Sequence, residues 1–199
     1  MTQYLSKKRI FLLLLSLVFC FAAVQLMAQD NQVTWSMALQ NNKTGEAVSF
    51  NDSVKSRTGE QFQLTIMPDT DCYCYVVAQS SNKKDLAVLL AGRLRGKDTW
   101  HSAVLELSLP GGTESFFVVV SQDEQKNLAN AITVFHNKAG SVQRRALLNE
   151  IYRLRTNASK FKEAPEKPVL MGGASRGNPN QGVEYSGSEI YVKTVSIEH

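Results

Sequence analysis

The stretch QFQLTIMPDTDCYCYVVAQ, residues 61–79, determines the fold that we expect for this chain. In its first part, Phe62, Leu64 and Ile66 alternate with polar residues, which predicts a strand with one buried face. The proline that follows ends this strand because proline has no N–H group for the ladder. Residues 72–79 are apolar on both faces, which predicts a strand in the centre of a sheet.

Shorter segments of strand-like sequence lie on both sides of this stretch. Turns rich in Gly, Pro, Asn and charged residues separate them. The predicted strands cover residues 33–40, 47–50, 62–66, 72–78, 86–90, 104–109 and 116–120. Together with one more strand near the end of the chain, they predict a mainly β fold, an antiparallel β-sandwich of about seven or eight strands. We assign the sandwich core to residues 29–122.

The hydrophobic period changes from two residues to a helical repeat after residue 121. Ser121 and Glu124 have the spacing of a capping box, so we expect the first helix to begin there. The apolar residues at helical spacing are Leu128, Ala131, Ile132 and Phe135 in this helix, and Leu147, Ile151 and Leu154 in a second helix beginning at Ser141. These residues predict a helical hairpin over residues 123–157.

The remaining residues divide into a loop and a last strand. Residues 158–187 contain prolines and the run GGASRGNP, have no hydrophobic period, and are predicted to form a loop. Residues 188–199 are rich in β-branched and aromatic side chains. They predict a C-terminal strand that returns to pack on the core.

Residues 1–28 have the pattern of a secretory signal peptide. A basic start precedes an apolar run at residues 10–24, and Ala28 is a small residue suited to cleavage after it. A lipoprotein is disfavoured because Val18 and Phe19, rather than small residues, precede Cys20. An uncleaved membrane anchor is the other alternative, although the run is shorter than the roughly 20 apolar residues that span a bilayer. We expect an exported protein, periplasmic or secreted.

Composition and charge exclude several classes of protein. Hydrophobic residues make up 43% of the chain and charged residues 20%, which excludes disordered, collagen-like and coiled-coil chains. Without residues 1–28 the chain has 19 Lys and Arg against 18 Asp and Glu, a net charge of +1. A nucleic-acid partner is therefore not expected, because it requires a dense basic surface.

Cys72 and Cys74 are the two cysteines outside the signal sequence. Residues two apart on a strand have Cα atoms roughly 7 Å apart, at the upper limit for a disulfide. A metal would need further ligands, and the three histidines, His101, His136 and His199, lack the spacing of zinc motifs. We expect buried structural thiols, with an intermolecular disulfide and a metal site as the alternatives.

Other polar residues suggest sites of different kinds. Asp69 and Asp71 are interpreted as turn residues, although a site assembled from these aspartates with Arg95 and His101 is an alternative. The arginines that could bind an acidic partner or an anionic membrane surface are Arg144, Arg145, Arg153 and Arg155 on the second helix, and Arg176 in the loop. No cofactor motif and no catalytic constellation is recognised.

Four sequence features of residues 33–123 are similar to a known bacterial family. They are Trp35 on an early strand, the step Gly59-Glu60-Gln61-Phe62-Gln63-Leu64, the aromatic strand at residues 72–79, and Leu109-Pro110-Gly111-Gly112-Thr113-Glu114 leading into residues 116–121. The segment resembles the family called domain of unknown function 4384. Leu89-Leu90-Ala91 stands where that family usually has Leu-Phe-Pro. The resemblance implies a small β-rich module, often joined to proteases, kinases or envelope proteins, that acts by association.

These observations favour a non-enzymatic interaction or accessory module of the bacterial cell envelope that binds a protein partner. The alternatives are a periplasmic ligand-binding protein or hydrolase with a site assembled from scattered loop residues, and an envelope protein that self-associates.

Overall fold

The computed structural model describes residues 32–48, 54–158, 167–170, 181–188 and 190–199. Residues 33–199 contain the described sheets and helices as one unit. The predicted signal peptide with its cleavage site at Ala28, and Arg176 of the predicted loop, lie outside the described residues.

The described elements are twelve strands and two helices. In chain order they are β1 (Gln32–Asn41), β2 (Ala47–Val48), β3 (Val54–Lys55), β4 (Gln61–Pro68), β5 (Cys72–Gln79), β6 (Leu86–Leu94), β7 (Trp100–His101), β8 (Leu105–Glu106), β9 (Thr113–Ser121), α1 (Lys126–Asn137), α2 (Ser141–Ala158), β10 (Lys167–Leu170), β11 (Gln181–Ser188) and β12 (Ile190–Glu198).

Two sheets contain all of these strands. Sheet A has the order β10-β11-β1-β4-β7, with β2 paired to β1 and β8 paired to β4. Sheet B has the order β3-β12-β9-β5-β6. The strand pairs with a defined register are antiparallel, except that β12 runs parallel to β3. The predicted mainly β fold, with two helices before a C-terminal strand, is confirmed.

Sheet B lies between two hydrophobic cores. The first core joins the inner faces of the two sheets and includes Trp35 and Leu64 from sheet A, and Val76 and Val118 from sheet B. The second core joins the opposite face of sheet B to the apolar faces of α1 and α2. Strands β5 and β9 are therefore buried on both faces, as the apolar sequence of residues 72–79 predicts.

The beginning of the first helix differs from the prediction. Ser121 is the last residue of β9, paired with Tyr73 and Ile190, and its hydroxyl donates to the carbonyl of Asp123 rather than to a helical N–H group. Helix α1 begins at Lys126 and has no side-chain cap. The predicted capping box is therefore wrong, because pairing with two neighbouring strands keeps Ser121 extended.

Residues 158–187 are also not simply a loop. They contain β10 and most of β11, which pair with each other at the β1 side of sheet A. Pro168 can stand in β10 because β10 is an edge strand, where a missing N–H group breaks no internal ladder. Neither strand has a clear two-residue period, so the prediction of a continuous loop failed there.

Within the described ranges, no helix has both the length and the apolar character needed to cross a bilayer.

Candidate functional site

The cysteine pair lies in the first core. Cys72 and Cys74 are buried and free, on the face of β5 that points toward sheet A. Burial, followed by the charge of Asp71, raises the pKa of the Cys72 thiol to about 11, and burial raises the pKa of Cys74 well above its ordinary value. Both changes disfavour the thiolate form, and the two side chains pack as small apolar groups in the first core.

The described residues contain no group of three His, Cys, Asp or Glu side chains that could hold a metal ion.

Asp71 connects the beginning of β5 to the loop after β6. One carboxylate oxygen accepts the backbone N–H of Gly96 at 2.8 Å, and the other accepts Arg93 Nη2 at 2.6 Å. The Gly96 hydrogen bond, assisted by the guanidinium groups of Arg93 and Arg95, lowers the pKa of Asp71 despite the opposing effect of desolvation. Asp71 therefore acts as a clamp between two chain segments.

The structure brings together only part of the proposed grouping of Asp69, Asp71, Arg95 and His101, because Asp71 lies near Arg95 whereas His101 contacts Thr65. Asp69 donates its backbone N–H to the carbonyl of Thr34, and Asp71 contacts the loop after β6. His101 lies on β7, and its Nδ1 is 3.0 Å from the hydroxyl of Thr65 on β4. His101 thus lies on β7 of sheet A, whereas Asp71 lies just before β5 of sheet B, and the two side chains contact different residues.

We expect Asp71→Asn to lower the free energy of unfolding at pH 7 and to weaken its dependence on pH in acid. The pKa of Asp71 is lower in the folded state than its ordinary value of 3.8. The stabilisation of the folded state by the Asp71 carboxylate is therefore fully present above the unfolded pKa. It is lost as the pH falls through the folded pKa. Urea unfolding of both proteins between about pH 7 and pH 2 measures the effect.

Asp98→Asn is the matched control, because Asp98 is an exposed loop aspartate for which the structure describes no side-chain hydrogen bond. If Asp71→Asn and Asp98→Asn had the same pH profile of stability, the clamp would be refuted.

The outer face of the helical hairpin carries most of the predicted partner-binding arginines. Helices α1 and α2 fix this face by burying Leu128 and Ile132, and Leu147 and Ile151, against sheet B. On the opposite side of α2, Val142, Arg145, Asn149 and Arg153 are all exposed, at spacings of three and four residues. Arg155 is exposed and Arg144 is half-buried. We call this exposed side of α1 and α2 the hairpin face.

The hairpin face is strongly basic. Residues 126–158 contain six Lys and Arg but one acidic residue, Glu150. Glu150 forms a two-bond ion pair with Arg153, at 2.6 and 2.9 Å. Among the described residues, no ion pair involves Arg144, Arg145 or Arg155, so these charges are not neutralised locally.

Exposed apolar side chains accompany these charges. Of the five large hydrophobic residues exposed in the described chain, three belong to the hairpin: Val134, Val142 and Tyr152. Val142 is 72% exposed, and Tyr152 is 43% exposed while its ring packs edge-on against Phe117 of β9 at 5.8 Å. The combination of fixed apolar groups and arginine is typical of protein-binding surfaces.

A cavity of about 730 Å³ lies between the β1–β2 turn and the β3–β4 connection, at one end of sheet A. It is lined by eight residues with polar side chains and one glycine: Asn41, Asn42, Lys43, Thr44, Arg57, Thr58, Gly59, Glu60 and Gln61. We call it the turn cavity.

The two segments that line the turn cavity are fixed by hydrogen bonds. Asn41 Oδ1 accepts the backbone N–H groups of Lys43 and Thr44 at 2.9 and 3.1 Å. The backbone N–H of Asn42 donates to the carbonyl of Gln61 at 2.8 Å, which ties the turn to β4. The backbone of the 41–44 turn is therefore fixed against β4 before any ligand arrives.

Behind the turn cavity lies a histidine whose side chain is fully buried. The Nδ1 atom of His199 is 3.2 Å from the hydroxyl of Thr58, and its Nε2 atom is 3.8 Å from Glu114 Oε1. Backbone hydrogen bonds of 2.8 and 2.9 Å between His199 and Gly112 fix the imidazole beside the beginning of β9. Burial raises the pKa of Glu114, and His199 opposes that change.

The order hydroxyl, imidazole, carboxylate is also the order of groups in nucleophilic catalysis, but the surrounding backbone does not support acyl transfer here. The N–H groups that follow Thr58 are already used, because Gly59 donates to Leu107 at 2.7 Å and Glu60 donates to Arg57 at 3.0 Å. They are not available to stabilise an oxyanion.

Sequence reasoning did not find the turn cavity. It recognised the Asn-rich and Gly-containing turns as turns, but Thr58, Glu114 and His199 are far apart in the chain and share no motif. The signal in the sequence is the pair of turn glycines, Gly45 and Gly59, which the structure places at φ values of +72° and +87°.

Comparison of the sequence with protein-family models gives no match, and comparison with curated proteins gives no significant match.

Proposed function

We propose that the protein is an exported, non-enzymatic interaction module of the bacterial envelope that binds an acidic protein partner through the hairpin face. The observation that carries this proposal is the coincidence of exposed arginine and exposed apolar side chains on one rigid surface. The resemblance to domain of unknown function 4384 belongs to the same proposal, since it too implies association. Export depends on residues 1–28, whose basic and apolar segments have the pattern of a signal peptide.

The charge of the hairpin favours an acidic partner. Residues 126–158 carry six basic residues and one acidic residue, with Asp123 and Glu124 just before α1, whereas the chain without residues 1–28 is close to neutral. The excess positive charge is therefore local, and a local patch speeds association with a partner of opposite charge and helps to set its orientation.

The exposed apolar side chains favour a protein partner over a partner that is held by charge alone. Val142 and Tyr152 would be removed from water by a partner that covers α2. Tyr and Arg are the residue types that contribute most to binding at the centres of interfaces. Because Leu147 and Ile151 anchor α2 on sheet B, the backbone of the helix is ordered before binding and loses little conformational entropy.

Crosslinking from a defined position tests this proposal. A photo-crosslinking amino acid is placed at position 142 or, as a control, at position 109, because Leu109 is 80% exposed but lies outside the hairpin. In intact bacterial cells that express the full chain, we expect a protein adduct from position 142 and none from position 109.

Charge reversal provides the second arm of the experiment. Arg145→Glu with Arg155→Glu is expected to abolish the adduct, whereas Lys55→Glu with Lys84→Glu, at exposed lysines outside the hairpin, is expected to preserve it. Arg153 is left unchanged because its removal would also free Glu150. Equal crosslinking from both positions, a lipid adduct in place of a protein, or equal loss in both double variants would refute the proposal.

A further inference from the structure

We infer that the turn cavity binds a small molecule through a carboxylate or phosphate group, held by Lys43 and Arg57 and by a hydrogen bond from Thr58. This inference goes beyond the proposed interaction with a protein, because it concerns residues 41–46 and 57–61 rather than the hairpin face.

The size and lining of the turn cavity suit a small hydrophilic ligand. A volume of about 730 Å³ lies within the usual range for ligand sites, roughly 300 to 1,000 Å³. No aromatic or large aliphatic residue lines the cavity, so a ligand would be held by charge and hydrogen bonds rather than by apolar contact. The amide group of Asn42 can add hydrogen bonds to the ligand's other polar atoms, whereas the amide nitrogen of Gln61 donates to Glu106 Oε2 at 3.2 Å.

The charges in the turn cavity favour an anion. Among the lining residues, Lys43 and Arg57 supply two positive charges and Glu60 one negative charge. The carboxylates of Glu46 and Glu106 accept hydrogen bonds from the lining residues Thr44 and Gln61 but do not themselves line the cavity. The Glu60 carboxylate accepts a hydrogen bond from the hydroxyl of Ser56, which directs part of its charge away from a ligand. Arg57 can bind a carboxylate or phosphate through two parallel hydrogen bonds, and Lys43 can add a second point of charge.

His199 supports the site by positioning Thr58. The groups that the structure places against the imidazole are the Thr58 hydroxyl, from the β3–β4 connection, and the Glu114 carboxylate, from β9. With the imidazole proton on Nδ1, His199 donates to Thr58 Oγ1, which restricts the rotamer of the exposed Thr58 side chain and leaves the hydroxyl hydrogen free to donate to a ligand. A restricted hydroxyl loses less entropy when it bonds a ligand, so His199 is a positioning residue of this site.

An NMR titration of the full chain without residues 1–28 tests the inference. Inorganic phosphate and succinate are added separately to the ¹⁵N-labelled protein, and we expect saturable shifts of the backbone amide signals of residues 41–46 and 57–61. Saturation by phosphate alone identifies the ligand group as a phosphate, and saturation by succinate alone identifies it as a carboxylate. Saturation by both probes shows that the cavity accepts either group. If neither probe shifts these signals in a saturable way, the inference is wrong.

Variants separate a specific site from general attraction to positive charge. Lys43→Ala with Arg57→Ala is expected to weaken binding of the probe by about tenfold or more, because each cation contributes a charge-assisted hydrogen bond. Lys55→Ala with Lys84→Ala, at exposed lysines outside the cavity, is expected to leave it unchanged. Equal weakening in the two double variants would overturn the inference.

The role of His199 is tested through Thr58. Thr58→Val, which removes the hydroxyl but keeps the shape, is expected to weaken binding several-fold, and Thr58→Ser is expected to retain it. His199→Gln is expected to weaken binding in the natural background but not in Thr58→Val, since it acts through that hydroxyl. Additive effects of the two substitutions would refute the positioning role, and the amide spectra of the variants show whether each one is folded.

Discussion

Trp35→Ala is expected to lower the free energy of unfolding by about 3 to 5 kcal/mol, the usual range for removing a fully buried large aromatic side chain. Trp35 is completely buried in the first core. Its ring stacks on Tyr185 at 5.7 Å and meets Tyr191 edge-on at 4.6 Å, so it joins strands of sheet A to β12 of sheet B. Urea unfolding followed by far-UV circular dichroism measures the change.

Trp35→Phe is the matched control for this prediction. The indole N–H of Trp35 is buried and has no hydrogen-bond acceptor among the described residues. Phe keeps an aromatic ring and removes the unsatisfied donor, so we expect a loss below about 2 kcal/mol. A Trp35→Ala protein as stable as Trp35→Phe would show that the aromatic cluster does not join the two sheets.

Leu147→Ala is expected to lower the free energy of unfolding by about 2 to 5 kcal/mol. Leu147 is fully buried where α2 packs on sheet B. Strands β5 and β9 contribute side chains to both cores, so loosening the second core destabilises the first as well. We therefore expect one cooperative transition, at the same midpoint when followed by circular dichroism and by tryptophan fluorescence.

Val142→Ala is the control for Leu147→Ala, because it shortens an exposed apolar side chain of the same helix. We expect a change within about 0.5 kcal/mol, as at most exposed positions. If both variants lost the same stability, or if the hairpin unfolded before the sheets, the described packing of α2 would be contradicted.

The elements with a strong hydrophobic period were predictable from the chain. The alternation from Phe62 to Ile66 became β4, the doubly apolar run became the central strand β5, and the repeat of Leu147, Ile151 and Leu154 became the buried side of α2. Each of these segments has apolar residues at the regular spacing of a strand or a helix, so the type of element can be predicted without knowing its neighbours.

Segments with weak periods were not predictable in the same way. Strand β10 contains a proline, β11 contains two glycines, and both form within a region that the sequence predicts to be a loop. Their backbone hydrogen bonds depend on neighbours that are distant in the chain, and sheet pairing overrides local preference when such a neighbour is present. The same reason explains Ser121, which remains in β9 although it could cap a helix.

The two candidate sites differ in the same way: the hairpin face could be predicted from the sequence, and the turn cavity could not. The arginines at positions 145 and 153 share an exposed helix face because a helix repeats every 3.6 residues, which can be read from spacing. The turn cavity depends on β1 pairing with β4, and on β12 bringing His199 beside Thr58, 141 residues away in the chain. No local sequence pattern predicts a contact between residues so far apart in the chain.

Local periodicity was therefore enough to establish a mainly β chain with a helical hairpin whose basic side faces outward. It was enough because a side chain's orientation within one helix or strand follows from backbone geometry alone. The order of strands in two sheets, the second core beneath the hairpin, and the contact of Thr58 with His199 required the folded chain. These features arise from pairings between distant segments, whose free energy depends on surfaces that exist only after both partners have formed.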